Sequence, residues 1–190
     1  MQTIRTFITI KLPEDVIKKL AVVQRDLQRA GIKARFTAST NLHLTLKFLG
    51  EVPVAGVSAI KEVLDSVAET YEPFFLNMKD FHILPDCKNP RILCAGLDGD
   101  VETLQKLAGS IAEKLLPWGF PEEKRVFRPH LTLARNPEPF EDMEKLLNSL
   151  VFADEISFMA TDIYFYKSVL TPRGPVYSVL HQSPLKRPAK

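Results

Sequence analysis

The sequence predicts an α+β fold with antiparallel or mixed sheets. Three observations predict it. Segments of period two and segments of helical period intermingle along all 190 residues. Several successive strand segments have no helix between them, which a purely parallel sheet would require. No low-complexity linker divides the chain. Hydrophobic residues make up 45% of it, enough at this length to bury a core without disulfides or a structural metal.

The elements follow in order. Ile4 to Ile10 reads as a strand of apolar and β-forming residues. Pro13 suits a first helical turn, with Glu14 and Asp15 at the dipole-favoured end. Val16, Leu20, Val23 and Leu27 then recur at helical spacing until Gly31. From Asn41 to Leu49 the period is two. Leu42, Leu44, Leu46 and Phe48 fall on one face, and His43, Thr45 and Lys47 on the other. A helix is expected from about Val54 to Thr70. Phe74 to Leu84 and Arg91 to Leu97 form a hairpin across the loop Pro85 to Pro90. Leu104, Leu107, Ile111 and Leu115 mark a helix from Val101 to Leu116. Val126 to Arg135 is a strand, Glu141 to Leu150 a short helix, Phe152 to Tyr166 strand-rich, and Pro175 to His181 the last strand. The basic tail Lys186 to Lys190 is expected to fray.

Charge and composition exclude several classes. A formal net charge of +2 does not support long-range binding of duplexes, which rests on many phosphate contacts. It leaves room for a short RNA end in a local basic pocket. The apolar stretch after Met1 is broken by Lys11 and Pro13, unlike an export signal. No apolar run reaches membrane-spanning length. Cys87 and Cys94 have no metal-type spacing and no partnering histidine pattern. The expectation is a soluble, cytoplasmic protein without a cofactor or membrane partner.

The chemistry lies in a repeat. His43-Leu44-Thr45-Leu46 recurs 87 residues later as His130-Leu131-Thr132-Leu133, and the chain has four histidines in all. On a strand, His and Thr two positions apart share a face while the leucines fix the register. Two such strands facing a cleft bring two imidazoles and two hydroxyls together. A neutral imidazole activates water, and an imidazolium protonates a leaving oxygen. Threonine hydroxyls, helped by Arg135, hold phosphate oxygens. The alternatives are half-buried strand histidines without a role, and a metal site. Two histidines without a Cys cluster or His-x-x-x-His make a poor zinc set, so no metal is expected.

These residues resemble the two-histidine phosphoesterase superfamily, and within it the bacterial and archaeal RNA 2′,3′-cyclic phosphodiesterases, historically called 2′-5′ RNA ligases. Asn41-Leu42-His43-Leu44-Thr45-Leu46-Lys47-Phe48-Leu49-Gly50 is similar to the first motif block. Phe127-Arg128-Pro129-His130-Leu131-Thr132-Leu133-Ala134-Arg135 is similar to the second. Arg5-Thr6-Phe7-Ile8, Pro90-Arg91-Ile92-Leu93 and Ser168-Val169-Leu170 with Gly174 and Tyr177 resemble the opening, middle and closing strands. Two departures stand out: the family pattern has a glycine near Lys79-Asp80 and often an aromatic at Cys94. The resemblance implies a bilobal fold in one domain over residues 1–190, with two intertwined, pseudo-two-fold-related lobes, helices outside and a central cleft. It implies that His43 is the proton donor to ribose O3′, that His130 is the proton acceptor from water, and that Thr45, Thr132 and Arg135 bind phosphate. The product is a 2′-phosphate and the substrates are RNA ends or small cyclic nucleotides. No obligatory protein partner is evident.

Weaker candidates are Phe7, which could stack on a base, and Lys47, which continues the His43 and Thr45 face. His82 and His181 lack a threonine partner and read as surface or structural. Competing functions are 2′-5′ RNA ligation and nucleotide binding without turnover.

Overall fold

The computed structural model describes residues 2–121, 127–152, 154–172 and 174–186. The expected strand start at Val126 and the tail beyond Lys186 lie outside these. The strands are β1 (Thr3–Lys11), β2 (Arg35–Phe36), β3 (His43–Pro53), β4 (Phe74–Leu84), β5 (Ile92–Gly99), β6 (His130–Arg135), β7 (Ser157–Ala160), β8 (Asp162–Thr171) and β9 (Gly174–Pro184). The helices are α1 (Glu14–Arg29), α2 (Val57–Ala68), α3 (Val101–Leu115) and α4 (Met143–Ser149). The expected α+β class is the one observed.

Two sheets form, with strand orders β3-β1-β8-β9 and β2-β6-β5-β4-β7. Every pairing is antiparallel. The order β3-β1-β8-β9 in sheet 1 repeats as β6-β5-β4-β7 in sheet 2, so the two motif strands occupy equivalent places. Strands β3 and β6 adjoin, and the sheets meet along them.

The sheets exchange helices. Helix α1 follows a strand of sheet 1 but packs on sheet 2: Lys19 donates to the Glu155 carbonyl at 3.0 Å and Gln24 to the Leu133 carbonyl at 2.9 Å. Helix α3 follows a strand of sheet 2 but lies against β3 and α2 on sheet 1. Burial of Gln24 differs from the sequence expectation, which put Val23 in the apolar stripe. The Gln24 amide is buried with its donors in use, since it also donates to the Thr37 carbonyl at 2.9 Å.

The cores lie between sheets and helices. Ile8, Ile10, Leu44 and Phe165 of sheet 1 and Leu93, Ala95, Leu131 and Leu133 of sheet 2 are fully buried. Each large apolar side chain so buried contributes about 1.5–3 kcal/mol. The opposite faces carry the polar residues, and on these faces the motif histidines and threonines stand.

Candidate active site

Each motif strand carries a β-bulge at the same place. In sheet 1, Thr9 pairs with Thr45 and Ile8 with Lys47, so Leu46 is the extra residue. In sheet 2, Cys94 pairs with Thr132 and Leu93 with Ala134, so Leu133 is the extra residue. A bulge puts two residues against one and resets the alternation. The position four after the histidine therefore turns to the core, and the position five after it turns to the histidine's face. In the second motif that residue is Arg135, which is exposed. In the first it is Phe48, which is 58% exposed. Gly50, at φ +71, takes a further irregularity on β3 that a side chain would resist.

This corrects the expectation for Lys47. It pairs with Ile8 on the core side, is 4% exposed, and donates from Nζ to the Pro121 carbonyl at 3.0 Å. It does not continue the face of His43 and Thr45. The residue equivalent to Arg135 is Phe48, which counting by two through Leu46 had assigned to the core.

The two histidines are held alike. His43 Nδ1 lies 2.7 Å from the Asn41 carbonyl, and His130 Nδ1 lies 2.8 Å from the Arg128 carbonyl. A carbonyl only accepts, so each Nδ1 carries its hydrogen and each Nε2 is left for other chemistry. Neutral, that nitrogen accepts a proton; protonated, it donates one. Thr45 and Thr132 are half-buried, and neither hydroxyl is engaged by another group among the described residues. Thr9, between β3 and β8, is by contrast committed: its hydroxyl donates to the Leu44 carbonyl at 2.7 Å.

The surroundings of His43 are aromatic. Its ring centroid lies 4.8 Å from that of Phe7 and 5.3 Å from that of Tyr177, the latter edge-on at 87°. Phe7 also touches Phe48, Tyr166 and Tyr177. At 3% exposure, Phe7 is a platform under His43 and not a free face for a base, which corrects the expectation for Phe7. Burial holds the His43 pKa down from its ordinary value of 6.5 to about 4, against the raising effect of the Asn41 carbonyl. The Arg135 charge lowers it further, so Arg135 of sheet 2 acts across the cleft on sheet 1. Burial raises the Tyr177 phenol, while Arg135 and Arg5 pull it back. Arg5 and Tyr177 of sheet 1 and Arg135 of sheet 2 thus lie close enough to influence one another, a grouping that no local spacing reveals.

The other histidines are resolved. His181 Nε2 lies 2.7 Å from Asp65 Oδ1, which also accepts from Ser183, a structural tie between β9 and α2. His82 is different. It pairs with Cys94, which pairs with Thr132, so it stands on the cleft face of sheet 2. Both cysteines are free. Among the described residues, no group of three or more His, Cys, Asp or Glu side chains is placed to hold a metal ion, and no helix is long and apolar enough to cross a membrane.

Comparison with known proteins agrees with this geometry. Residues 10–94 and 97–177 match the model of the LigT-like phosphoesterases. The chain is 33% identical over 178 residues to the RNA 2′,3′-cyclic phosphodiesterase of Thermotoga maritima, covering 94% of each chain. It is 32% identical over 183 residues to the enzyme of that name from Methanocaldococcus jannaschii, covering 94% of this chain and 99% of that one. The fold is that of TT0787 of Thermus thermophilus, with a TM-score of 0.80 at 24% identity over 96% and 98% of the two chains. It is also that of Escherichia coli LigT complexed with 3′-AMP, with a TM-score of 0.80 at 23% identity over 97% and 99%. With most of its length matched by the family model and 94% of it aligned to a relative at 33% identity, the chain belongs to the LigT-like phosphoesterase family.

Proposed function

We propose that the protein hydrolyses RNA 2′,3′-cyclic phosphates to 2′-phosphates without a metal ion. The observation that carries the reading is the matched anchoring of His43 and His130, each tied through Nδ1 to the carbonyl two residues before it. Two imidazoles presenting Nε2 from equivalent strands supply one acid and one base, each worth about 10²–10⁴-fold. His130 takes a proton from water as its oxygen attacks phosphorus. The P–O3′ bond breaks, His43 gives its proton to O3′, and the phosphate stays on O2′. Thr45, Thr132 and Arg135 hold the non-bridging oxygens, whose charge grows in the transition state.

The depressed pKa of His43 fits a proton donor only if substrate brings the proton with it. An anionic phosphate about 4 Å away stabilises the imidazolium by about 4 kcal/mol at an effective dielectric near 20, enough to offset the burial. His43 is then neutral in the empty cleft and charged in the occupied one. The names of the relatives, spanning nearly the whole chain, support RNA ends as the substrate class.

The test is a short RNA ending in a 2′,3′-cyclic phosphate, incubated in EDTA with the wild type, His43→Ala and His130→Ala. Conversion to a 2′-phosphate by the wild type alone is expected. A folded wild-type protein that binds this RNA and leaves it unconverted would overturn the hydrolase reading.

A further inference from the structure

The two departures from the family pattern noted in the sequence, near Asp80 and at Cys94, are neighbours on the cleft face of sheet 2. His82, Cys94 and Thr132 stand side by side on β4, β5 and β6. Two residues along β5, on the same face, Gly96 pairs with His130. A β-bulge between Met78 and Phe81 turns Asp80 to the same side as His82. Gly96 is glycine for space: a methyl there would collide with Asp80 Oδ1 and come within 2.9 Å of His82 Nε2. The bare strand lets the carboxylate lie over Gly96, beside the His130 pair.

Asp80 has one neighbour that can carry positive charge, His82. His82 Nε2 lies 2.7 Å from Asp80 Oδ1 but off the direction of a hydrogen bond, and that buried oxygen has no aligned donor among the described residues. Both side chains are about half exposed, at 53% for His82 and 47% for Asp80. An acceptor-only group in a cleft that takes a phosphate repels the phosphate. It is suited instead to N–H donors on the uncharged part of the same ligand. Two strand spacings, about 10 Å, separate β6 from β4, the reach from a ribose phosphate to the edge of its base.

We propose that Asp80, steadied by His82, reads the nucleobase of the nucleotide whose phosphate lies between His43 and His130, and selects bases whose edge presents N–H donors. This rests on the phosphodiesterase reading for the position of the phosphate. With Oδ1 buried over Gly96, the acceptor open to a base is the other oxygen, and guanine, whose adjacent N1–H and N2–H donors can both converge on one acceptor, is the preferred base. Uracil, whose single N3–H is flanked by two carbonyls, is the least preferred. Adenine and cytosine, each with one amino donor beside a ring acceptor, fall between. Base edges of unpaired RNA are open to this kind of reading. Asp80 is a specificity residue, and His82 a positioning residue acting through it.

The experiment compares the guanosine, adenosine, cytidine and uridine 2′,3′-cyclic monophosphates as substrates, and the corresponding 2′-monophosphates as ligands by calorimetry. The proteins are the wild type, Asp80→Asn and His82→Ala. The wild type is expected to favour guanosine over uridine by about 5- to 100-fold in kcat/KM and in affinity, the range of one good side-chain-to-base contact. Asp80→Asn replaces one acceptor with a donor, so its preference moves to adenosine and cytidine, whose edges offer one donor and one acceptor. His82→Ala narrows the guanosine preference without reordering the bases. A merely structural Asp80 would lower all four values together and leave the ratios unchanged, which overturns the proposal. Base-dependent binding without turnover supports the proposal and overturns the hydrolase reading. Turnover that ignores the base does the reverse. Base-blind binding without turnover overturns both readings, as does the absence of binding and turnover.

Discussion

His43 makes folding stability depend on pH in a way that one substitution isolates. In the folded protein its pKa stands at about 4, against an ordinary 6.5. Between those values the unfolded chain binds a proton that the folded chain refuses, so stability falls as the pH drops from 6.5 toward 4. The slope is about 1.4 kcal/mol per pH unit, and between pH 7 and pH 4.5 the loss reaches about 2–3 kcal/mol. Carboxylates begin to protonate at the acid end of this window, and their contribution must be removed. Urea unfolding of the wild type and His43→Gln at both pH values does this, because only the His43 contribution differs between the proteins. The wild type should lose about 2–3 kcal/mol more than the variant on acidification. Parallel losses in the two proteins would refute the burial argument, and with it the need for substrate to bring the proton.

Four more outcomes follow from the same geometry. Binding of a nucleoside 2′-phosphate at pH 6 should take up a fraction of a proton approaching one, measured by calorimetry in buffers of different ionisation enthalpy, and His43→Gln should abolish most of it. Arg135→Gln should lower kcat/KM by about 10²–10³-fold, as loss of an oxyanion donor does, and should raise the His43 pKa as followed by NMR titration. Lys47→Met, on the core side of β3, should change kcat/KM by less than about threefold, the ammonium having no place in the cleft. Gln24→Ala strips a donor from two buried carbonyls, Thr37 and Leu133, and should cost about 1–3 kcal/mol in urea unfolding.

The sequence made the strands and the two motifs legible because alternation and repetition are local. The span Phe74 to Leu84 followed from the loop Pro85 to Pro90 that closes its hairpin, and three of the four helices from their apolar spacing. The alternation misled at two residues of the first motif, Lys47 and Phe48. A bulge at Leu46 exchanges the faces of Lys47 and Phe48, and no composition signal marks it, since leucine is equally at home in the regular and the bulged position. The aromatic platform of Phe7 and Tyr177 under His43, the reach of Arg135 across the cleft and the placing of Asp80 over Gly96 depend on which strands pair. That is decided by residues tens to more than a hundred positions apart. Gln24 was hidden for the same reason: its partners lie on a different sheet from the strand that precedes its helix.

The helix exchange and the strand order set the sequence in which the molecule can be completed during synthesis. Strand β1 lies between β3 and β8, so one edge of a strand made in the first dozen residues waits for a partner made after residue 160. Until the closing hairpin of β8 and β9 emerges, Phe7 and Ile8 stand on an open, apolar edge of the kind that recruits other chains. Folding is then governed by late, non-local pairings, which are slow and expose intermediates to aggregation. A chain stopped near residue 155 would retain both His-x-Thr motifs in full and still lack the strand that flanks β1, the neighbour of the first of them.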